Sequence, residues 1–518
     1  MKRYAGELAT DETQMKHRSS SICVDPCFIC GFVLIIFFQG PAALTSAQEP
    51  SPIAAAAMMQ RLVTDAIERA EESVVAIARV RKEEHQDGPS PSSIPALETL
   101  RPQAAPADPR FVPTEFGTGV VIDSGGLVVT NYHVLGNVKQ ADFYIWHRRK
   151  PYRATVKAAD PWLDLAVLKV DGASFKAMPF GDTRALKKGQ FVIALGNPYA
   201  IARDGQPSAS LGIISNLERQ APLPPPSATR AADGRETLHH YGTLIQTDAR
   251  LELGASGGAL VNLQGEMIGL TTSLAALYGY ERPGGFAVPA DDAFRRTLET
   301  LKTGRVPDYG LLGVEPAALA VDLRQRGRTG ARVVSVARAT PATQAGLREN
   351  DVITHVDGMA VHDDLELIRN LSGQFAGTPI TLSLLRGGND RRPGQALTVT
   401  AKLSKKRIDS ARPPYAEAPP ETWRGMQIDY ATASPHFAQH SRELDPLGCV
   451  AVLNVACDSP AWAAGLRPGD FISRVADIRA TTPRDFYDAV RALDGPVVLK
   501  LSGGDRTAAV RTVEPERP

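Results

Sequence analysis

The sequence is poor in cysteine and carries almost no net charge, and each shortage excludes a class of protein. Five cysteines occur in 518 residues, and no C-x-x-C pair recurs at the spacing of zinc ligands, so we expect no metal site. Cys449 and Cys457 flank a strand-like run that would hold them too far apart for a disulfide. Lysine and arginine number 58 against 57 aspartates and glutamates, which provides no basic surface for nucleic acid. We therefore expect neither a nucleic-acid partner nor a cofactor.

Long apolar runs are also scarce. The run near the N-terminus, residues 28–38 (FICGFVLIIFF), has eleven residues, which is short for a bilayer span. Basic residues at 16–18 precede it, and the small residues Thr45 and Ala47 follow it where a signal peptidase would cut. This pattern predicts a cleaved signal peptide over residues 1–47 and export to the periplasm or cell envelope.

Two alternatives for this segment stay open. An uncleaved membrane anchor would have to extend the apolar run through residues 22–27, where an aspartate and a proline interrupt it. Translation could also begin at Met15, because the basic residues 16–18 would then form a more typical basic N-terminal region before the apolar run.

The rest of the chain has the length of about three domains. A helix is predicted over residues 54–71 and a strand over 73–80. Residues 83–110 are rich in proline, serine and alanine, which is typical of a long mobile loop. From residue 116 to 288, short apolar runs are separated by glycine turns without helices between them. This spacing predicts an all-β barrel or sandwich.

A serine between glycines, in G-A-S-G-G-A-L (254–260), is a candidate nucleophile with two interpretations. An α/β-hydrolase would have its acid and base after the serine, whereas a chymotrypsin-like protease has a histidine and an aspartate before it. The hydrolase also needs helices between parallel strands, which are missing here. His133 in T-N-Y-H-V and Asp164 in D-L-A-V-L-K-V both precede Ser256 and each adjoins a predicted strand. The order favours the protease.

These residue types suit acyl transfer. A serine hydroxyl is a weak nucleophile until an adjacent base takes its proton, and a neutral imidazole is basic enough to do so near pH 7. His133 is therefore the predicted base of Ser256, and Asp164 would hold the other imidazole nitrogen. The N–H groups of Gly254 and Ser256 are the predicted oxyanion hole.

The C-terminal third contains an internal repeat. Residues 331–361 and 449–480 share the pattern P-A-x-x-A-G-L-R-x-x-D-x-I at one constant offset, from Pro341 to Pro460. A repeat of this kind indicates two copies of one domain.

The motifs TN-x-HV, DLAVLKV and GxSGGxL followed by VN-x-x-G-x-x-IG resemble those of the HtrA/Deg family of PDZ-containing, trypsin-like serine proteases. The resemblance implies a mainly β protein in which a chymotrypsin-like double β-barrel precedes two α+β PDZ domains. After an N-terminal helical segment (48–72), the protease domain would cover 73–304. The PDZ domains would cover 307–404 and 423–512, joined by a basic, proline-rich linker at 405–422.

The same resemblance implies a function. An exported serine endopeptidase of protein quality control would cleave misfolded or unfolded envelope proteins, with a homotrimer or larger homo-oligomer as its assembly. C-terminal peptides would bind the first PDZ domain at the loop formed by Leu311, Leu312, Gly313 and Val314. In the second copy Arg424 replaces the apolar residue of this loop. A proteolytically weak or inert PDZ scaffold or chaperone is the alternative.

The sequence departs from the family beside the serine. Relatives commonly carry N-P-G-N before S-G-G, whereas Glu252, Leu253 and Ala255 stand here. The lost polar anchors and proline predict a resting loop that is partly collapsed and gains activity on peptide binding. His239 and His240 end a long proline-rich loop and are predicted to be solvated.

Overall fold

The computed structural model describes residues 51–82, 115–172, 174–197, 206–221, 237–252, 254–272, 285–388, 392, 394–408, 413–503 and 509–516. The predicted signal peptide with its anchor alternative and Met15, the predicted mobile loop 83–110 and Leu253 lie outside these residues. Within the described ranges, none of the helices combines the length and apolar character needed to cross a membrane. The chain divides into residues 1–55 and a larger compact unit of residues 56–518.

Helix α1 (Pro52–Glu71) leads into a first antiparallel β-barrel. Its strands run in the order β5-β4-β1-β2-β3-β6, and β6 pairs back with β5. A short helix α2 (Tyr132–Leu135) follows β3. The strands are β1 (Val74–Arg81), β2 (Glu115–Val121), β3 (Leu127–Asn131), β4 (Ala141–His147), β5 (Lys150–Asp160) and β6 (Leu165–Val170).

A second closed barrel follows in the order β10-β11-β12-β9-β8-β7. A 3₁₀ turn (Leu238–Tyr241) precedes β9, and helix α3 (Asp292–Lys302) follows β12. The carboxylate of Asp291 caps α3 by accepting the N–H of Phe294 at 2.9 Å. The strands are β7 (Phe191–Gly196), β8 (Ser208–Arg219), β9 (Leu244–Thr247), β10 (Ala259–Val261), β11 (Met267–Thr272) and β12 (Gly285–Pro289).

One buried apolar cluster joins the two barrels. Val129 on β3 and Val167 on β6 pack in the same cluster as Ile193 and Leu195 on β7. Their strands show nearly continuous apolar runs because both faces are covered, as in β6, where five of six residues are buried. The barrels therefore meet along a shared core.

The first repeat folds as a sheet of order β14-β15-β16-β18-β19, with β17 beside β16 and a separate pair β13–β20. Its strands are β13 (Gly310–Leu311), β14 (Val314–Ala318), β15 (Ala331–Val336), β16 (Val352–Val356), β17 (Met359–Ala360), β18 (Pro379–Arg386), β19 (Gln395–Lys402) and β20 (Ser404–Lys405). Its helices are α4 (Val321–Gln325), α5 (Pro341–Gln344) and α6 (Asp364–Ser372).

The second repeat has the same strand order, β22-β23-β24-β26-β27, with β25 beside β24. Its strands are β22 (Met426–Tyr430), β23 (Val450–Val455), β24 (Phe471–Val475), β25 (Ile478–Arg479), β26 (Val497–Ser502) and β27 (Val510–Val513). Its helices are α7 (Phe437–His440), α8 (Pro460–Ala463) and α9 (Pro483–Arg491). The predicted architecture of a double barrel followed by two PDZ-type domains is confirmed.

Part of the predicted linker is itself structured. Strand β21 (Tyr415–Ala416) pairs with the end of β5, so that Tyr415 lies opposite Ala159. The next N–H, of Glu417, bonds to the Lys157 carbonyl at 2.8 Å, and the two side chains form an ion pair. The linker thus extends the sheet of the first barrel.

Candidate active site

His133 and Asp164 are in direct contact. Nδ1 of His133 lies 2.7 Å from Oδ2 of Asp164, and the His133 backbone N–H donates to Oδ1 at 2.9 Å. A carboxylate accepts hydrogen bonds, so the imidazole proton sits on Nδ1 and the lone pair on Nε2. Nε2 is buried and has no hydrogen-bond partner in the described part of the chain. The imidazole is therefore in the tautomer that a general base needs.

Asp164 reaches this position through an unusual backbone conformation. Its φ is +55°, in the left-handed region that costs a non-glycine residue about 1–3 kcal/mol. Its carbonyl accepts the N–H of Tyr132 at 3.0 Å and the side-chain amide of Asn131 at 3.2 Å. The end of β3 thus holds the aspartate next to the histidine that follows it.

Ser256 lies at the contact between the barrels and is 6% exposed. Its carbonyl accepts the N–H of Thr118 on β2 at 2.9 Å. The preceding residue of β2, Gly117, has no room for a side chain, since a Cβ there would lie 2.5 Å from Val134, the neighbour of His133. Strand β2 therefore brings the serine and histidine segments together.

The bond from Ser256 to His133 is not formed, since Nε2 is without a partner within the described residues. Such catalytic hydrogen bonds often tighten only when substrate binds.

Two buried threonines hold the serine loop. Thr118 Oγ1 donates to the Gly254 carbonyl at 2.7 Å, and Thr271 Oγ1 on β11 donates to the Ala255 carbonyl at 2.6 Å. Each bond is worth about 0.5–1.5 kcal/mol. The loop is thus held from the first barrel and from the second at once. Neither threonine was predictable from the sequence, because no local pattern marks them.

Gly254 adopts a φ of +94°, and a Cβ there would lie 2.7 Å from the Asn197 carbonyl oxygen and from Phe116. Only glycine fits this conformation and this space. Among the described residues, no acceptor takes its N–H. That donor can therefore meet an incoming carbonyl oxygen.

The prediction that His239 is solvated is wrong. Its side chain is buried in the 3₁₀ turn, with Nε2 3.0 Å from the Leu163 carbonyl and Nδ1 2.7 Å from Thr243 Oγ1. His240 is half-buried, and its Nδ1 accepts the Thr237 N–H at 3.1 Å. Burial lowers the pKa of His239 and keeps its ring neutral. The spacing of Leu238 and Tyr241, three residues apart as in one helical turn, was the signal that the proline-rich loop ends earlier.

Asp160 holds the segment that carries Trp162 and Leu163, next to this turn. Its buried carboxylate accepts the N–H groups of Trp162 at 3.2 Å and Leu163 at 3.0 Å, and the hydroxyl of Tyr309 at 2.6 Å. Burial raises the pKa of Asp160 to about 6. The indole N–H of Trp162 donates to the Ser372 carbonyl at the end of α6, at 3.2 Å.

The predicted peptide loop of the first repeat lies beside an edge strand. Leu312 is buried, and its carbonyl accepts the Ala342 N–H at 2.8 Å, while the Gly313 carbonyl accepts the Ala337 N–H at 2.9 Å. The N–H groups of Leu312 and Gly313 have no acceptor among the residues the structure describes. β14 begins at Val314 and is an edge strand of its sheet. None of the described strands pairs with its outer side.

The corresponding edge of the second repeat is occupied by its own residues. The N–H of Ile428 on β22 donates to the hydroxyl of Tyr487 at 3.1 Å, and this hydroxyl donates to the Glu421 carbonyl at 2.6 Å. The guanidinium of Arg424 donates to the carbonyls of Val513 and Gly495.

Comparison with known proteins connects this geometry to a family. A trypsin-like peptidase domain matches residues 117–270, and a PDZ domain matches residues 310–393. The periplasmic serine endoprotease DegP of Escherichia coli K12 is 30% identical over 398 residues, which cover 76% of this chain and 75% of the relative. The chain belongs to the HtrA/Deg family of serine endoproteases.

The chain is similar to other proteins as well. DegP of Salmonella typhimurium is 30% identical over 69% of this chain and 67% of its own length. A solved structure titled "HtrA-type protease AlgW with decapeptide" is 26% identical, covers 67% of this chain and 99% of its own, and has a TM-score of 0.47. As an HtrA/Deg protein the chain is a serine endopeptidase with PDZ domains, which confirms the predicted enzyme class.

Proposed function

We propose that His133, Asp164 and Ser256 are the catalytic triad of this protease. The paired bonds between His133 and Asp164 carry the proposal, because they leave Nε2 free to take the Ser256 proton as Oγ attacks the scissile carbonyl. The proton then passes from Nε2 to the leaving amine, and water hydrolyses the acyl-enzyme by the same route in reverse. The carboxylate of Asp164 accepts the Nδ1 proton in a hydrogen bond and stabilises the imidazolium that forms.

Gly254 and Ser256 are the proposed oxyanion hole. The positive φ of Gly254 and the absence of a described acceptor for its N–H support this role. A loop held by Thr118 and Thr271 would place the donor with little reorganisation. One such donor is worth about 10²–10³ in rate. The partial collapse of the resting serine loop stays a prediction.

The proposed substrates are misfolded or unfolded proteins of the periplasm, because the DegP relatives are periplasmic serine endoproteases. C-terminal peptides would bind the first PDZ domain through Leu311, Leu312, Gly313 and Val314. The N–H groups of Leu312 and Gly313, which have no acceptor in the described part of the chain, suit a terminal carboxylate, and the outer edge of β14 suits the addition of a peptide strand.

The proposed domains are the protease at 73–304, the first PDZ domain at 307–404 and the second at 423–512. The proposed linker is 405–422, and the N-terminal helical segment is 48–72. A homotrimer or larger homo-oligomer is proposed on family resemblance, and sedimentation of the purified protein tests it.

Digestion of unfolded casein tests the triad. Ser256→Ala should lower the rate on the order of 10⁴-fold or more while the circular dichroism spectrum stays unchanged. Ser441→Ala, which removes a hydroxyl from the second repeat, is the matched control and should digest casein like the parent. Full activity in Ser256→Ala would refute the triad, and an inactive parent would favour a PDZ scaffold or chaperone.

A further inference from the structure

A residue outside the triad holds the strained backbone of Asp164. The peptide bond before Asp164 carries the carbonyl of Leu163, and this carbonyl faces Nε2 of His239 at 3.0 Å. Rotation of that peptide plane would let φ of Asp164 leave +55° for the preferred negative region. The contact with His239 therefore opposes the relaxation of the aspartate.

The proton positions on His239 follow from its partners. A carbonyl oxygen only accepts, so Nε2 carries the proton and donates to Leu163. Nδ1 is then the acceptor, and the hydroxyl of Thr243 donates to it at 2.7 Å. The neutral ring is thus fixed in one tautomer by two bonds.

The surrounding turn is fixed as well. The Leu238 N–H donates to the Trp162 carbonyl at 2.9 Å, so two successive carbonyls, of residues 162 and 163, are bonded to successive residues of the 3₁₀ turn. On the other face, Asp160 accepts the N–H groups of residues 162 and 163. A change at His239 alone would release the Leu163 carbonyl and leave these other bonds in place.

We propose that His239 is a positioning residue of the protease, whose Nε2–H fixes the Leu163–Asp164 peptide plane and so holds the Asp164 carboxylate against His133. This inference rests on the proposed triad. His239 does not contact the reacting atoms. It acts through the backbone of Asp164, and losing it should lower kcat while substrate binding is unchanged.

The test compares His239→Leu with His239→Gln in the full-length protein, with casein or a chromogenic peptide as substrate. Leucine removes the donor, and kcat should fall about 10²-fold, the cost of a misplaced catalytic group, with KM within twofold. Glutamine places an amide N–H near the position of Nε2 and should restore kcat to within about fivefold of the parent. His147→Leu is the matched control, since His147 is also buried but does not contact the triad, and its kcat should match the parent.

A spectroscopic measurement separates positioning from general loss of structure. The proton between His133 and Asp164 should give a low-field ¹H NMR resonance, because short charge-assisted hydrogen bonds deshield their protons. This resonance should shift or broaden in His239→Leu and stay unchanged in His147→Leu and His239→Gln.

The outcomes distinguish the two proposals. If Ser256→Ala remains active, the triad is wrong and the role of His239 falls with it. Two results would overturn only the positioning role, provided that Ser256→Ala is inactive. Folded His239→Leu could keep the parent kcat, or the kcat of His239→Gln could fall as far as that of His239→Leu. Should His239→Leu fail to fold, His239→Phe decides, because it keeps a ring in the same space without an N–H donor. Its kcat should also fall about 10²-fold, and an unchanged kcat would overturn the role.

Discussion

The two PDZ-type repeats share one strand order and differ at the edge where a peptide would bind. In the first, the outer side of β14 is unpaired by any described strand, and the N–H groups of Leu312 and Gly313 are unused within the described chain. In the second, Tyr487 takes the Ile428 N–H, which a bound peptide strand would need. The two repeats therefore share one fold and differ at the surface that is proposed to bind peptides.

The strand and the helix beside it both differ at this point. Pro316 in β14, which has no N–H, stands where Ile428 stands in β22. At the repeat offset, Ile368 in α6 stands where Tyr487 stands in α9, and an isoleucine cannot accept an N–H. Beside it, Trp423 packs edge-on against Phe486, with ring centroids 5.8 Å apart. The second groove is filled by the chain's own aromatic residues, so we expect one peptide site per chain.

The largest expected effect comes from paired glycines. A Cβ at Gly313 would lie 2.3 Å from Thr340, and one at Gly425 would lie 2.2 Å from Ser459, both at positive φ. Alanine should strain both loops alike, yet only Gly313→Ala should weaken binding of a hydrophobic C-terminal peptide, by about 10- to 100-fold. Calorimetric titration in the Ser256→Ala background measures this. Equal losses in Gly313→Ala and Gly425→Ala would end the distinction between the repeats.

Exchanging the residues at positions 368 and 487 should weaken peptide binding in the first repeat and permit it in the second. Ile368→Tyr brings a bulky ring to the first groove and should weaken peptide binding about tenfold by obstructing it, since Pro316 in β14 has no N–H that the hydroxyl could accept. Tyr487→Phe frees the Ile428 N–H and should raise the stoichiometry above one peptide per chain. If Tyr487→Phe stays at one peptide, Trp423 and its neighbours close the second groove without the hydroxyl.

Arg424 should matter for stability alone. Its guanidinium ties the loop before β22 to the Val513 carbonyl and lies 4.5 Å from the centre of the Trp423 ring. Arg424→Ala should lower the free energy of unfolding of the second repeat by about 1.5–3 kcal/mol, the range for charged hydrogen bonds. Denaturant unfolding measures the loss, while peptide affinity is the internal control and should not change.

The smallest effect concerns thiol reactivity at the contact between the repeats. Cys449 is buried in a cluster that includes Ala339 of the first repeat, and burial raises its pKa to about 12. At pH 8 it should remain an unreactive thiol, whereas the exposed Cys457 should be alkylated by iodoacetamide. Mass spectrometry locates the label. Rapid labelling of Cys449 in the folded protein would show that the repeats separate in solution.

Much of the fold was predictable because it rests on local patterns. Short apolar runs with glycine turns indicated the barrels, and the repeated P-A-x-x-A-G-L-R indicated two equivalent domains. His133 and Asp164 were predicted as partners because both adjoin strand ends, and the structure brings them to 2.7 Å.

The support of the site was not predictable in the same way. Thr118 and Thr271 lie 136 and 16 residues from their acceptors, in strands where threonine is ordinary. His239 is 76 residues from Leu163, and the preceding proline run concealed the turn that buries it. Loop-anchoring contacts of this kind depend on tertiary structure, which single-sequence patterns do not report.

The bond from Thr118 to the Gly254 carbonyl also makes the geometry of the candidate active site depend on the contact between the two barrels. Thr118 belongs to the first barrel and the serine loop to the second. The loop that carries Ser256 therefore keeps its conformation only while the two barrels stay in contact. A small separation would disorder the loop before either barrel lost its strands. On heating, proteolysis should therefore stop before the β-sheet signal falls, and on cooling it should return only after the halves have redocked.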